Sequence, residues 1–250
     1  MGAEQGAGNH EEHRDQTPEG NTGEDAVPVI EPERVAFLRD IKSGLPAGPI
    51  GGGTEKNVFA VTLRTGEKNG QQISCVLKLW RQTIDTPDEY AERDLLERLR
   101  LARAEYHVLN SLVEVIPDHV ATPIGIYSAG EEVGLVVDLV RGDTIERPEV
   151  RASLTSAEVE EFKVAVLQAL KTIGLSVESV MPGNLMVGDT GGNNKRRIII
   201  IEAELRSPDH QVDHERFIHL ELLWLASEVR LRKTIIGRLI LRVRALLDLS

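Results

Sequence analysis

The chain has 250 residues, 41% of them hydrophobic, enough to bury a substantial core as one domain or as two packed lobes. No apolar run approaches the roughly 20 residues of a membrane span, and the single cysteine, Cys75, excludes an internal disulfide or a cysteine-based zinc site. Of the net charge of −11, residues 1–33 hold −8 (nine acidic side chains against Arg14), so the remaining −3 gives no electrostatic case for nucleic acid.

In chain order, residues 1–33 are rich in Gly, Glu, Asn and Pro and lack a hydrophobic period, which predicts a disordered acidic tail. Within it, His10 and His13 stand apart from other metal-ligand types. The polar start is no secretory signal, and the expected setting is cytoplasmic. The stretch "EPERVAFLRDIKSGL" reads as a short helix or lead-in. Val58, Ala60 and Thr62, then Ser74, Val76, Leu77 and Leu79, predict two strands joined across "TGEKNGQQ". Leu95, Leu96, Leu99, Ala102, Tyr106 and Leu109 recur every three or four residues and predict a helix from about Asp88 to Leu112.

Strands are expected over 121–127 and 133–140, with "SAGEE" as the turn between them. A helix then starts at Thr155 or Ser156 and stops at Gly174. Two short apolar segments, 185–187 and 198–201, flank "GDTGGNNKRR", and the last 40 residues read as helical. The predicted class is α+β in two lobes: a β-rich one over about 45–142 and a reduced helical one over about 150–250. Residues 230–249 form a basic amphipathic stretch. It reads first as a closing helix of the core, with peripheral contact to an anionic membrane surface as the alternative.

Three pieces carry chemistry. Gly51, Gly52 and Gly53 precede the strand bearing Val58, and a glycine turn lets backbone N–H groups approach phosphates because no Cβ intervenes. Lys78, in "CVLKLW", lies among apolar neighbours on the following strand and can neutralise such phosphates. "SVESVMPGNLMV" carries a Pro-Gly-Asn turn that ends at Asn184, at the mouth of a strand. A glycine cluster can equally mark a mere turn, and a lone strand lysine can equally face solvent.

Together these segments resemble the protein-kinase-like superfamily, in its small divergent branches, over residues 45–225 or so. The resemblance implies a bilobal fold, ATP with Mg²⁺ as cofactor, and roles for particular residues. Gly51, Gly53 and Val58 match the Gly-rich loop, with Lys56 where a third glycine often stands. Lys78 matches the phosphate-binding lysine and Glu105 its helix partner, with Glu92 and Glu97 as alternatives. Backbone groups around Asp138 to Val140 would meet an adenine, and Asn184 with Glu202 would hold the metal.

Departures from the pattern are as informative. Ser179 stands where the family has its catalytic aspartate, Val177 where it has the neighbouring histidine, and Glu202-Ala203-Glu204 in place of Asp-Phe-Gly. A neutral serine cannot act as the general base, a contribution of about 10²- to 10⁴-fold in rate. The sequence therefore reads as a catalytically impaired pseudokinase that binds nucleotide, a protein partner, or both. Its alternatives are an active divergent phosphotransferase, with Glu178 or Glu204 as the base, and a scaffold without a nucleotide site.

Overall fold

The computed structural model describes residues 27–38, 48–52, 55–65, 71–82, 88–176, 178–190, 195–204 and positions 222, 225 and 226. Gly53, Val177 and the stretch 230–249 lie outside the described residues. Within them the architecture is α+β and compatible with two lobes.

The first half builds one sheet from β1 (Val29–Ile30), β2 (Val35–Phe37), β3 (Gly51–Gly52), β4 (Lys56–Arg64), β5 (Gln72–Trp80), β6 (Pro123–Ala129) and β7 (Glu132–Asp138). Its order is β1-β6-β7-β5-β4-β2, with β3 also paired to β4. The β4–β5 pair is the long hairpin foreseen from alternating residues, and its register sets Lys56 opposite Trp80 and Val58 opposite Lys78. Side chains alternate along a strand, so those four residues share one face.

Two segments differ from the sequence expectation. Residues 31–45 were expected as a helix or lead-in, yet after one 3-10 turn Val35–Phe37 pairs with β4 as a strand. The tail expected to run to residue 33 ends earlier, because Val29–Ile30 pairs in parallel with Ile126–Tyr127 of β6. Ile30 is buried there beside Val61, Leu63 and Tyr127. Deleting residues 1–33 should therefore lower the melting temperature, and Ile30→Ala should cost about 2–3 kcal/mol in urea unfolding, near the lower end for buried isoleucines because β1 is an edge strand. Unchanged stability in both variants would remove β1 from the fold.

Helix α1 (Asp88–Val115) lies against β6 and β7. Its buried stripe runs through Arg98, Ala102, Glu105, Val108, Leu109 and Leu112, a spacing of three to four residues. Helix α2 (Pro148–Ser153) is short, and α3 (Ser156–Ile173) opens with Thr155 in a reciprocal capping box with Glu158. It closes on Gly174, whose φ of 72° suits glycine. A second sheet comprises β8 (Arg141–Thr144), β9 (Leu185–Asp189) and β10 (Arg197–Ile200) in the order β10-β9-β8.

Because β8 pairs with β9, the change from one sheet to the other falls at Leu139–Val140, while the sequence expectation ran the first lobe to about 142 and began the second at about 150. Gly142 faces Gly188 across this pair, and a Cβ on either would collide with the opposite backbone. One core runs through both halves, joining Trp80, Leu109 and Val133 to Phe162, Leu185 and Ile198.

A seam ties the two sheets together. The Ala121 N–H donates to the Ile200 carbonyl at 2.9 Å, and Arg197 pairs with Asp118 at 2.8 Å. His119 Nδ1 lies 2.9 Å from the Ile198 carbonyl, and burial holds its imidazole pKa below the ordinary value. Among the described residues no helix is long and apolar enough to cross a membrane.

Candidate functional site

A cavity of about 840 Å³ opens between the sheets, within the usual size range of small-molecule sites. It is lined by Gly51, Val58 and Lys78 from the first sheet, Asp138 and Val140 at the crossing, and Asn184 and Glu202 beyond it. Gly52 lies in β3, paired with Asn57. Residues selected from distant parts of the sequence thus meet around one space.

Lys78 is buried on β5, an interior strand between β7 and β4, two residues before its end. Its ammonium donates to Glu105 Oε1 at 2.7 Å and to the Ile201 carbonyl. Of the three glutamates considered as its partner, α1 presents Glu105; Glu92 is exposed, and Glu97 pairs with Arg100 at 2.7 Å on the outer face. The sequence marked Glu105 only by its place in the motif order, and its position on the buried stripe of α1 is what separates it from Glu92 and Glu97.

The residue that sequence reasoning passed over is Lys56. Its ammonium lies 2.7 Å from Glu105 Oε2 and 2.6 Å from Glu202 Oε1, above the Trp80 ring at 4.7 Å. Glu105 is therefore shared, with one oxygen on each lysine. Burial alone would lower the Lys56 pKa, but the carboxylates of Glu105 and Glu202 outweigh it and hold the pKa above its ordinary value. Burial alone would likewise raise the Glu105 pKa, and the two ammonium groups reverse that. Strand alternation carried the missing signal, since Lys56 sits two residues from Val58 and faces the same way.

Ser179 is fully buried. Its hydroxyl donates to the Glu204 carbonyl at 3.2 Å and accepts from the Glu204 N–H at 2.8 Å, while the Ser176 N–H also reaches that carbonyl at 2.9 Å. The hydroxyl is thus spent on backbone, as a latch between the turn region and the segment after β10. Asn184 closes a 3-10 turn begun by Pro182, and its carbonyl accepts from the Ile201 N–H at 2.9 Å. Asn184 and Glu202 are thereby placed along the same wall of the cavity.

A divalent metal does not fit Glu202 as it stands, because an ammonium already holds its Oε1. Among the described residues no three His, Cys, Asp or Glu side chains gather as a metal-binding group. A second space, of about 530 Å³, adjoins the first beyond Lys56 and Glu202, and Glu204 lines this one. The side chain of Glu178 lies outside the described residues.

Burial raises the Asp138 carboxyl pKa, a hydrogen bond with Thr122 opposing it. Across the strand pair, Cys75 has its thiol pushed up to about 11, first by burial and then by Asp138, so it is not a reactive nucleophile. No family model matches the chain, and no curated protein matches it.

Proposed function

We propose that the chain is a kinase-like, nucleotide-binding pseudokinase: it takes ATP or ADP in the cavity between its sheets and does not transfer phosphate. The observation that carries this reading is the Lys78–Glu105 pair, 2.7 Å apart on the cavity-lining strand and the helix behind it. Both residues were selected from their place in the motif order, and an ion pair between such a strand lysine and helix glutamate is what phosphoryl-transfer sites of this kind use. Gly51 at the rim and Asp138 to Val140 at the sheet crossing provide backbone for phosphates and adenine respectively. The buried, doubly bonded Ser179 hydroxyl supports the absence of a base. A function exerted through a bound protein partner follows from that reading.

Thermal unfolding with ADP or ATP, in Mg²⁺ and separately in EDTA, tests the nucleotide site. Ligand at a hundredfold its Kd should raise the melting temperature by about 5–10 °C under at least one condition. Lys78→Met should abolish the shift, because the phosphates lose a buried counter-charge. No shift under either condition would leave a scaffold without a nucleotide site. Turnover of labelled ATP that disappears in Lys78→Met would establish an active phosphotransferase instead.

A further inference from the structure

We propose that Lys56 is the resident cation of this site, so that the cavity receives the phosphates of a nucleotide on the ammonium groups of Lys56 and Lys78 without a divalent metal. The inference rests on the nucleotide-binding reading and concerns how that binding is achieved.

The two partners of Lys56 differ. Glu105 is 6% exposed and fixed between two lysines, whereas Glu202 is 32% exposed and lines the cavity. Glu202 can therefore leave for water at small cost, and a phosphate oxygen can take its place on the ammonium. That exchanges one anion for another on the ammonium, so the buried Lys56 charge is never left without a partner.

A metal ion entering at Glu202 would do the opposite. It would displace a buried ammonium from its second carboxylate and place a double positive charge beside it. Position also favours the lysine. Lys56 opens β4 directly after the glycine segment, on the face shared with Lys78, and Trp80 below it limits where its stem can go. The ammonium thus lines the cavity together with Gly51 and already occupies the Glu202 oxygen that a metal bridging phosphates to that carboxylate would need.

The distinguishing variant is Glu202→Gln, which keeps shape and removes the competing anion. If Glu202 were a metal ligand this change would weaken binding; as a competitor for Lys56, its loss should tighten binding. Titration calorimetry with ADP, and with inorganic tripolyphosphate to isolate the phosphate contribution, would be run in EDTA and in Mg²⁺. The natural chain should bind ADP in EDTA within about threefold of its affinity in Mg²⁺. Glu202→Gln should tighten metal-free binding about tenfold, the size of one charge-assisted hydrogen bond released for the ligand. Lys56→Met should lose metal-free binding, and Lys56→Arg, which keeps the charge, should recover part of it.

Binding that requires Mg²⁺, or a Glu202→Gln variant that binds no better or worse, overturns the resident cation and leaves the nucleotide site standing. A natural chain that binds neither ADP nor tripolyphosphate under either condition overturns the nucleotide reading, and this inference with it.

Discussion

Substituting aspartate for Ser179, the change that would reinstate the acidic residue of the kinase pattern, should destabilise the fold by about 3–5 kcal/mol and create no phosphotransfer. The position is fully buried, and its hydroxyl serves the N–H and the carbonyl of Glu204 at once. An ionised carboxylate can accept from the N–H but cannot donate to the carbonyl, so it would face that oxygen with like polarity. Among the described residues no cation pairs with Ser179, and a buried charge without a partner is among the costliest single changes. Ser179→Ala should cost less, about 1–3 kcal/mol, because the Glu204 N–H loses its acceptor while the carbonyl keeps the Ser176 N–H. Urea unfolding gives both values, and a labelled-ATP assay covers activity. An aspartate variant as stable as the natural chain, or one that turns over ATP, would refute the latch.

The second large effect is expected at Glu105. Replacing it with glutamine removes the carboxylate shared by Lys56 and Lys78 and should cost about 3–5 kcal/mol, because both ammonium groups are buried. Its pH dependence gives a further test. The Glu105 pKa is held below the ordinary value of 4.5, so its contribution is complete above about pH 4.5 and is lost as pH falls through the folded-state value. The Lys56 pKa is held above 10.5, so that contribution is complete below about pH 10.5 and is lost as pH rises through the folded value. Urea midpoints across pH should fall at both ends for the natural chain. In Glu105→Gln the acid-side fall should be smaller. Identical acid limbs in the two proteins would show that Glu105 is not held by the lysines.

What the sequence disclosed follows from how local each signal is. Helix α3 was legible because capping at Thr155 and the stop at Gly174 are encoded within a few residues of the ends they make. The β4–β5 hairpin was legible because two strand-like segments, Val58 to Thr62 and Ser74 to Leu79, stand on either side of a polar turn within strands of nine residues each. By contrast, β1 is two residues between prolines, held only by a strand far along the chain, so no period could show it. The segment Arg141–Thr144 has the composition of a turn and becomes β8 through pairing with β9, two glycines giving the close approach.

Legibility of the site followed the same rule. Lys78 interrupts an apolar pattern, which marks a buried charge from its neighbours alone, whereas Glu105 was one of three glutamates until the fold set it on the buried stripe of α1. Lys56 follows a glycine-rich, polar stretch, so its only sequence signal was the spacing of two from Val58, and the register against Trp80 makes its inward direction plain. Ser179 was visible as a substitution, but its second bonded partner lies beyond β10 and depends on the tertiary fold.

The seam at Ala121 and Ile200 has a mechanical consequence. Among the described residues the two sheets are joined along the backbone in two places, through Leu139 and Val140 and through this contact with the Asp118–Arg197 pair beside it, and by side chains across the cavity, where Lys56 meets Glu202 and Lys78 the Ile201 carbonyl. The two backbone attachments define an axis, as two pins define a door hinge, and the lysine contacts bridge the faces that would part around it. Rotation about that line is the soft direction, while sliding or twisting across it would break backbone bonds. The β3–β4 corner, paired through only two residues of β3, is free to bend independently of the axis. Widening of the cavity mouth therefore has two separate sources of compliance, one shared by the whole molecule and one confined to the glycines at its rim.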